Sequence, residues 1–123
     1  MAAPTKRYRD ITRSVSNSLV KLRAAIPDTT RGFSAMAQGA LRDGALDKKT
    51  KELIALALGV AAHCDACIGF HVEALVKLGA SRAEVEETLG MAVYMGGGPS
   101  LMYAADVIAA WEEFTEPVPA AAD

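Results

Sequence analysis

The chain has 123 residues, of which 51% are hydrophobic, with a formal net charge of −2. That length fits one domain, 1–123, with a small core, and the charge argues against a bulk nucleic-acid binder. The longest strongly apolar run, 53–62, is too short to span a bilayer, and no charged, apolar and cleavable leader opens the chain, so a soluble cytoplasmic protein with no membrane partner is expected.

Charge is uneven along the sequence. Residues 1–31 carry seven basic and two acidic side chains, and the remainder carries six basic and thirteen acidic ones. This asymmetry reads as a solvated N-terminal helix, docked on an acidic neighbour, rather than as a phosphate- or membrane-binding element.

The first helical pattern runs from Thr5 to Ala25, with Tyr8, Ile11, Val15, Leu19, Leu22 and Ile26 at three- and four-residue spacing. Pro27 ends it. Asp28, Thr29 and Thr30 offer N-caps for a second helix with the stripe Phe33, Met36, Ala37, Ala40 and Leu41, closed by Gly44. Asp47 caps a third helix, Lys48 to about Ala62. It is apolar nearly all round after Glu52, which predicts a buried central helix.

A fourth helix starts at Cys64 or Asp65 and runs to about Leu78, with Gly79 as its stop. Ser81 and Glu84 form a Ser-x-x-Glu capping box for the fifth. The run from Gly96 to Pro99 breaks the chain, and a sixth helix restarts near Ser100 and continues through Trp111 and Phe114. No segment alternates with a period of two. The expected fold is all-α, about six helices, divided as 1–27 N-terminal helix, 28–115 core and 116–123 tail. A central helix apolar all round is hard to cover from within so short a chain, so a homo-oligomer is expected.

Both cysteines and both histidines fall between Glu52 and His71. On a helix, Cys64, Cys67 and His71 lie within an arc of about 60°. Two thiols one turn apart can form a disulfide when the first sits at the helix start. Cys67 then lies in the first turn, where free N–H groups and the helix dipole favour a thiolate. His71 is placed to take or give a proton. Glu52 is a carboxylate where the periodicity calls for burial, so it needs a partner or a proton. Two further readings stay open: buried structural thiols, or half a zinc site completed by His63, His71 or Glu52, which lacks the usual second cysteine pair. His63 is chiefly a helix-end residue and an auxiliary candidate. Tyr94, Tyr103 and Trp111 read as core or interface, and the methionines as gap-fillers.

The pattern Glu-x11-Cys-x2-Cys-x3-His, formed by Glu52, Cys64, Cys67 and His71, with the flanking ELIALALGVAAHCDACIGFH and AEVEETLGMAVYMGGGP, resembles the AhpD-like alkylhydroperoxidase core of the carboxymuconolactone decarboxylase family. The likeness covers about residues 30–115. It implies an all-helical protein assembled as trimers or hexamers. It also implies a thiol-dependent peroxidase with no metal and no other cofactor. In that scheme Cys67 meets a hydroperoxide and becomes a sulfenic acid, Cys64 resolves it to a Cys64–Cys67 disulfide, Glu52 and His71 relay protons, and an external dithiol restores the pair. The best-known members carry a histidine directly before the second cysteine, where this chain has Ala66. Alternatives are a cofactorless decarboxylase using His71 and Glu52 as acid and base, and a non-enzymatic oligomer with structural or zinc-bound thiols. The lactone decarboxylases of the family lack the cysteine pair, which weighs against the first of these.

Overall fold

The computed structural model describes residues 6–117, which form six α-helices and no strand. In chain order they are α1 Tyr8–Ala25, α2 Pro27–Leu41, α3 Lys48–Ala61, α4 Asp65–Lys77, α5 Arg82–Gly96 and α6 Gly98–Thr115. Thr5, the expected start of the first helix, and the tail beyond Pro117 lie outside the described residues.

The core is built where α3, α4, α5 and α6 face one another. Leu56 and Val60 meet Ile68, Val72 and Leu75 across the α3–α4 hairpin, and Val85, Leu89, Val107, Trp111 and Phe114 close the other side. Only the N-terminal half of α1 joins it. Tyr8 is buried, whereas Val20, Leu22 and Ile26 further along are exposed.

Helix boundaries follow from capping chemistry. Asp47 accepts a hydrogen bond from the Thr50 N–H at 2.7 Å and so starts α3. Ser81 and Glu84 bond reciprocally in a complete capping box at the head of α5. Three boundaries differ from expectation. Helix α2 begins at Pro27 itself, with Ile26 as an N-cap that has no side-chain bond. Proline at N1 needs no cap for an N–H it does not have. Thr30, read as an N-cap, instead returns its hydroxyl to the carbonyls of Ile26 and Pro27. Gly44 does not close α2, which stops at Leu41 with Arg42 as C-cap; its N–H bonds Leu46 in the loop. Helix α6 starts at Gly98 rather than Ser100. Gly97 alone, at φ 74°, makes the break, and Pro99 fits the unbonded first turn.

Helix α3 is central but not buried all round. Glu52, Leu56, Gly59 and Val60 face inward, while Ile54 and Leu58 are exposed. No residue of α2 is buried, and Phe33 and Met36 of its apolar stripe face solvent. Tyr94 is likewise exposed and no part of the core. The α2–α3 side of the chain therefore carries an apolar surface that its own helices leave uncovered.

Candidate functional site

The turn between α3 and α4 sets the site. His63 adopts the left-handed conformation at φ 56°. Its N–H bonds the Val60 carbonyl and the Cys64 N–H bonds the Gly59 carbonyl. This is the two-bond Schellman closure, and it recurs at the end of α4, where Gly79 and Ala80 bond Val76 and Leu75. The second turn has the glycine such a closure favours. The first has a histidine, among the few non-glycine types enriched in this conformation. The exposed His63 ring stacks on Tyr103 of α6 with centroids 4.7 Å apart.

The chain leaves this turn directly into α4, with Cys64 as N-cap. Its sulfur accepts from the Cys67 N–H at 3.2 Å, and the two cysteines, with Cα atoms 5.2 Å apart, are joined as a disulfide. Both are half-buried. Gly59 makes room for them: a Cβ at that position would lie 3.0 Å from the Cβ of Cys67. The glycine in an otherwise Leu- and Ala-rich helix lets α3 come close to Cys67.

One turn beyond Cys67, His71 reaches back to α3. Its Nδ1 lies 2.6 Å from Oε2 of Glu52. The Glu52 side chain is 5% exposed and that of His71 29%. The buried carboxylate thus has the partner its position demands, and the imidazole links it to the surface. His71 also lines a cavity of about 350 Å³ between α2 and α3, with Ala40, Leu41, Lys51, Ile54 and Leu58 among its other walls. A larger one, about 590 Å³, lies between α1 and α2 and includes neither a cysteine nor the Glu52–His71 pair.

The structure therefore brings Glu52 and His71 into contact and joins Cys64 to Cys67. His63 faces Tyr103 instead. Among the described residues no group of three or more His, Cys, Asp or Glu side chains is arranged to hold a metal ion. A second polar cluster went unread in the sequence. Asp65, between the cysteines, accepts from the Tyr8 hydroxyl at 3.1 Å and from Lys6 Nζ at 3.1 Å, and Lys6 also bonds Asp106 of α6 at 2.9 Å. The basic N-terminal segment does dock on acidic neighbours, since Glu113 takes the backbone N–H groups of Tyr8 and Arg9. The charge asymmetry was the available signal; which carboxylates it would meet was not.

A six-helix fold with a Cys-x2-Cys pair at a helix start and a Glu–His pair bridging the hairpin defines a class of all-α thiol proteins. The chain belongs to the carboxymuconolactone decarboxylase family, whose model matches residues 27–110. An apo-form carboxymuconolactone decarboxylase family protein from Legionella pneumophila superposes with a TM-score of 0.88 at 58% identity, covering 91% of this chain and all of that one. A family member from Thermotoga maritima, for which involvement in an antioxidative response has been suggested, superposes with a TM-score of 0.65 at 34% identity, covering 69% of this chain and 88% of its own. An uncharacterised protein of Cupriavidus necator is 39% identical over 85 residues, 69% of this chain and 75% of the relative.

Proposed function

We propose that the protein is a thiol-dependent peroxidase that reduces alkyl or hydrogen peroxides through Cys67 and Cys64, with His71 and Glu52 as the proton relay. The observation that supports this reading most directly is the Cys64–Cys67 pair at the head of α4 with the 2.6 Å Glu52–His71 contact one turn further along.

In this reading the Cys67 sulfur, in the first turn of α4, is the thiolate: the helix N-terminus favours negative charge on either cysteine, and His71, one turn beyond Cys67, is the base that takes its proton. It attacks one peroxide oxygen, the O–O bond breaks, and the departing alkoxide takes a proton through His71. Glu52, as carboxylate, accepts from Nδ1–H and holds the imidazole in the tautomer whose Nε2 exchanges protons. Cys67 is then a sulfenic acid. The Cys64 sulfur attacks it, the S–O bond breaks, water leaves with the proton from Cys64, and the disulfide forms. An external dithiol reduces the disulfide by exchange and becomes a disulfide itself. The net change is one peroxide and one dithiol to one alcohol, one water and one disulfide.

The whole chain acts as one domain in a homo-oligomer, trimeric or hexameric, with the uncovered α2–α3 face at the subunit contact, and it works in the cytoplasm. Ala66 removes the extra imidazole of the best-known relatives, so His71 carries proton delivery without it. Peroxide consumption coupled to a dithiol, compared between the native chain and Cys67→Ser, tests the reading. Activity lost with Cys67→Ser supports it, and full activity in that variant rejects it. A decarboxylase using Glu52 and His71 would keep working after thiol alkylation.

A further inference from the structure

We propose that Asp65, held by Lys6 and Tyr8 of the N-terminal segment, is an electrostatic positioning residue that sets the reactivity of the Cys67 thiol. The proposal deepens the peroxidase reading and rests on it for its biological meaning, though its test does not.

Asp65 is the first residue of α4, lying between the N-cap Cys64 and Cys67 in the sequence. Asp65 turns towards Lys6 and Tyr8 while Cys67 lies against Gly59 of α3, so the two do not share a face. A carboxylate two residues before a thiol still opposes its ionisation through space, while the helix N-terminus promotes it. What decides the balance is how well the carboxylate is neutralised. Two groups do this from α1 and the residues just before it. The Tyr8 hydroxyl donates to Oδ1 at 3.1 Å, and Lys6 Nζ donates to the same oxygen at 3.1 Å. Burial pushes the Tyr8 phenol well above its ordinary range, so it stays a donor throughout the physiological range. The Lys6 ammonium is held above its usual value, first by its hydrogen bond to Asp106. It also sits 5.0 Å over the Tyr103 ring.

The contact is built, not incidental. Helix α1 is seated on α4 at Gly69, where a Cβ would stand 2.5 Å from Cγ2 of Thr12 and 3.6 Å from Tyr8. Tyr8 itself is 1% exposed. The titratable groups brought to this end of α4 are Lys6 and Tyr8 from the N-terminal segment, Asp106 and Tyr103 from α6, His63 from the preceding turn, and the Glu52–His71 pair of α3 and α4. One ammonium among two carboxylates leaves the Lys6–Asp65–Asp106 cluster with a single net negative charge. Residues 6–25 precede the family match at 27–110.

Charge and structure predict different signs. The test uses full-length protein carrying Cys64→Ser, so that Cys67 is the one thiol present, and follows its alkylation rate by iodoacetamide against pH. Lys6→Met makes the cluster more negative and should raise the midpoint by about half a pH unit. Asp65→Asn keeps the side-chain size and should lower it by about the same amount, so that rates near neutral pH move about three-fold in opposite directions. Lys6→Arg should restore the parent profile. If the cluster only clamps the helix start, both substitutions loosen it and both midpoints rise. Shifts of the same sign, a shift in only one variant, or no shift overturn the proposal. Lys6 is largely at the surface, so its variants test the idea even if Asp65→Asn folds poorly. A chain that consumed no peroxide would reject the peroxidase reading and leave these alkylation shifts unaffected.

Discussion

Glu52 and His71 meet at 2.6 Å across two helices and nineteen positions of sequence, one nearly buried and the other partly open to solvent. The hairpin turn at His63 and Cys64 sets the register that makes them meet. Replacing Glu52 by Gln keeps the shape and a hydrogen-bond acceptor but removes the charge that orients and supports the imidazole. Peroxide turnover should fall about a hundred-fold, the low end of an acid–base contribution, because Glu52 acts through His71. Circular dichroism should show unchanged helix content. Steady-state kinetics of Glu52→Gln beside the native chain checks this.

The seating of α1 on α4 depends on the missing side chain at Gly69. Gly69→Ala places a Cβ 2.5 Å from Thr12 Cγ2. The strain of overpacking should cost about 1–3 kcal/mol. Part of that is offset by alanine's better helix propensity, about 1 kcal/mol. Thr12→Ser removes the clashing methyl, so the double variant should recover most of the loss. Urea titrations of both variants measure it.

Core and uncovered face should respond differently to truncation. Leu75, fully buried, should lose about 2–5 kcal/mol as Leu75→Ala. Leu58 is exposed on α3, so Leu58→Asp should leave helix content intact. If the α2–α3 face joins subunits, that charge should shift sedimentation to a smaller species. A native chain that already sediments as a monomer at micromolar concentration contradicts the assembly.

Acid should weaken the fold partly through its helix caps. The Asp47 carboxyl is held below its ordinary value, first by the Thr50 backbone N–H, and Glu84 is held low first by Lys49 and then by the Ser81 backbone N–H. A carboxyl depressed in the folded state stabilises above its unfolded pKa and stops doing so as pH falls through the folded one. That stability should be present above roughly pH 4.5 and drain away below it. Asparagine caps a helix without titrating. Melting temperature against pH should therefore fall less steeply on the acid side for Asp47→Asn.

Much of the fold was legible because its signals are local. The Asp47 cap, the Ser81–Glu84 box and the Gly79 stop each depend on a few neighbouring residues, and each stands where the pattern placed it. Pro27 does end α1 at Ala25, but the starts of α2 and α6 differ from the pattern, because Pro27 and Pro99 serve as well inside a first turn as before one. Apolar content foretold the role of α3 but not which face stays open, since that depends on where α2 lies. At the site, spacing alone grouped Cys64, Cys67 and His71. The Glu52 contact required the register of the hairpin, which a twelve-residue separation does not give. The Lys6–Asp65–Asp106 cluster joins residues up to a hundred positions apart, beyond the reach of any local pattern.

A two-thiol peroxide cycle leaves its mark on the mass and thiol count of the reduced protein, read before and after one equivalent of hydroperoxide. The expected result is a loss of two hydrogens, disappearance of both thiols, a Cys64–Cys67 link in the peptide map and full reversal by a dithiol. Unchanged mass with both thiols intact, while the peroxide persists, would contradict it.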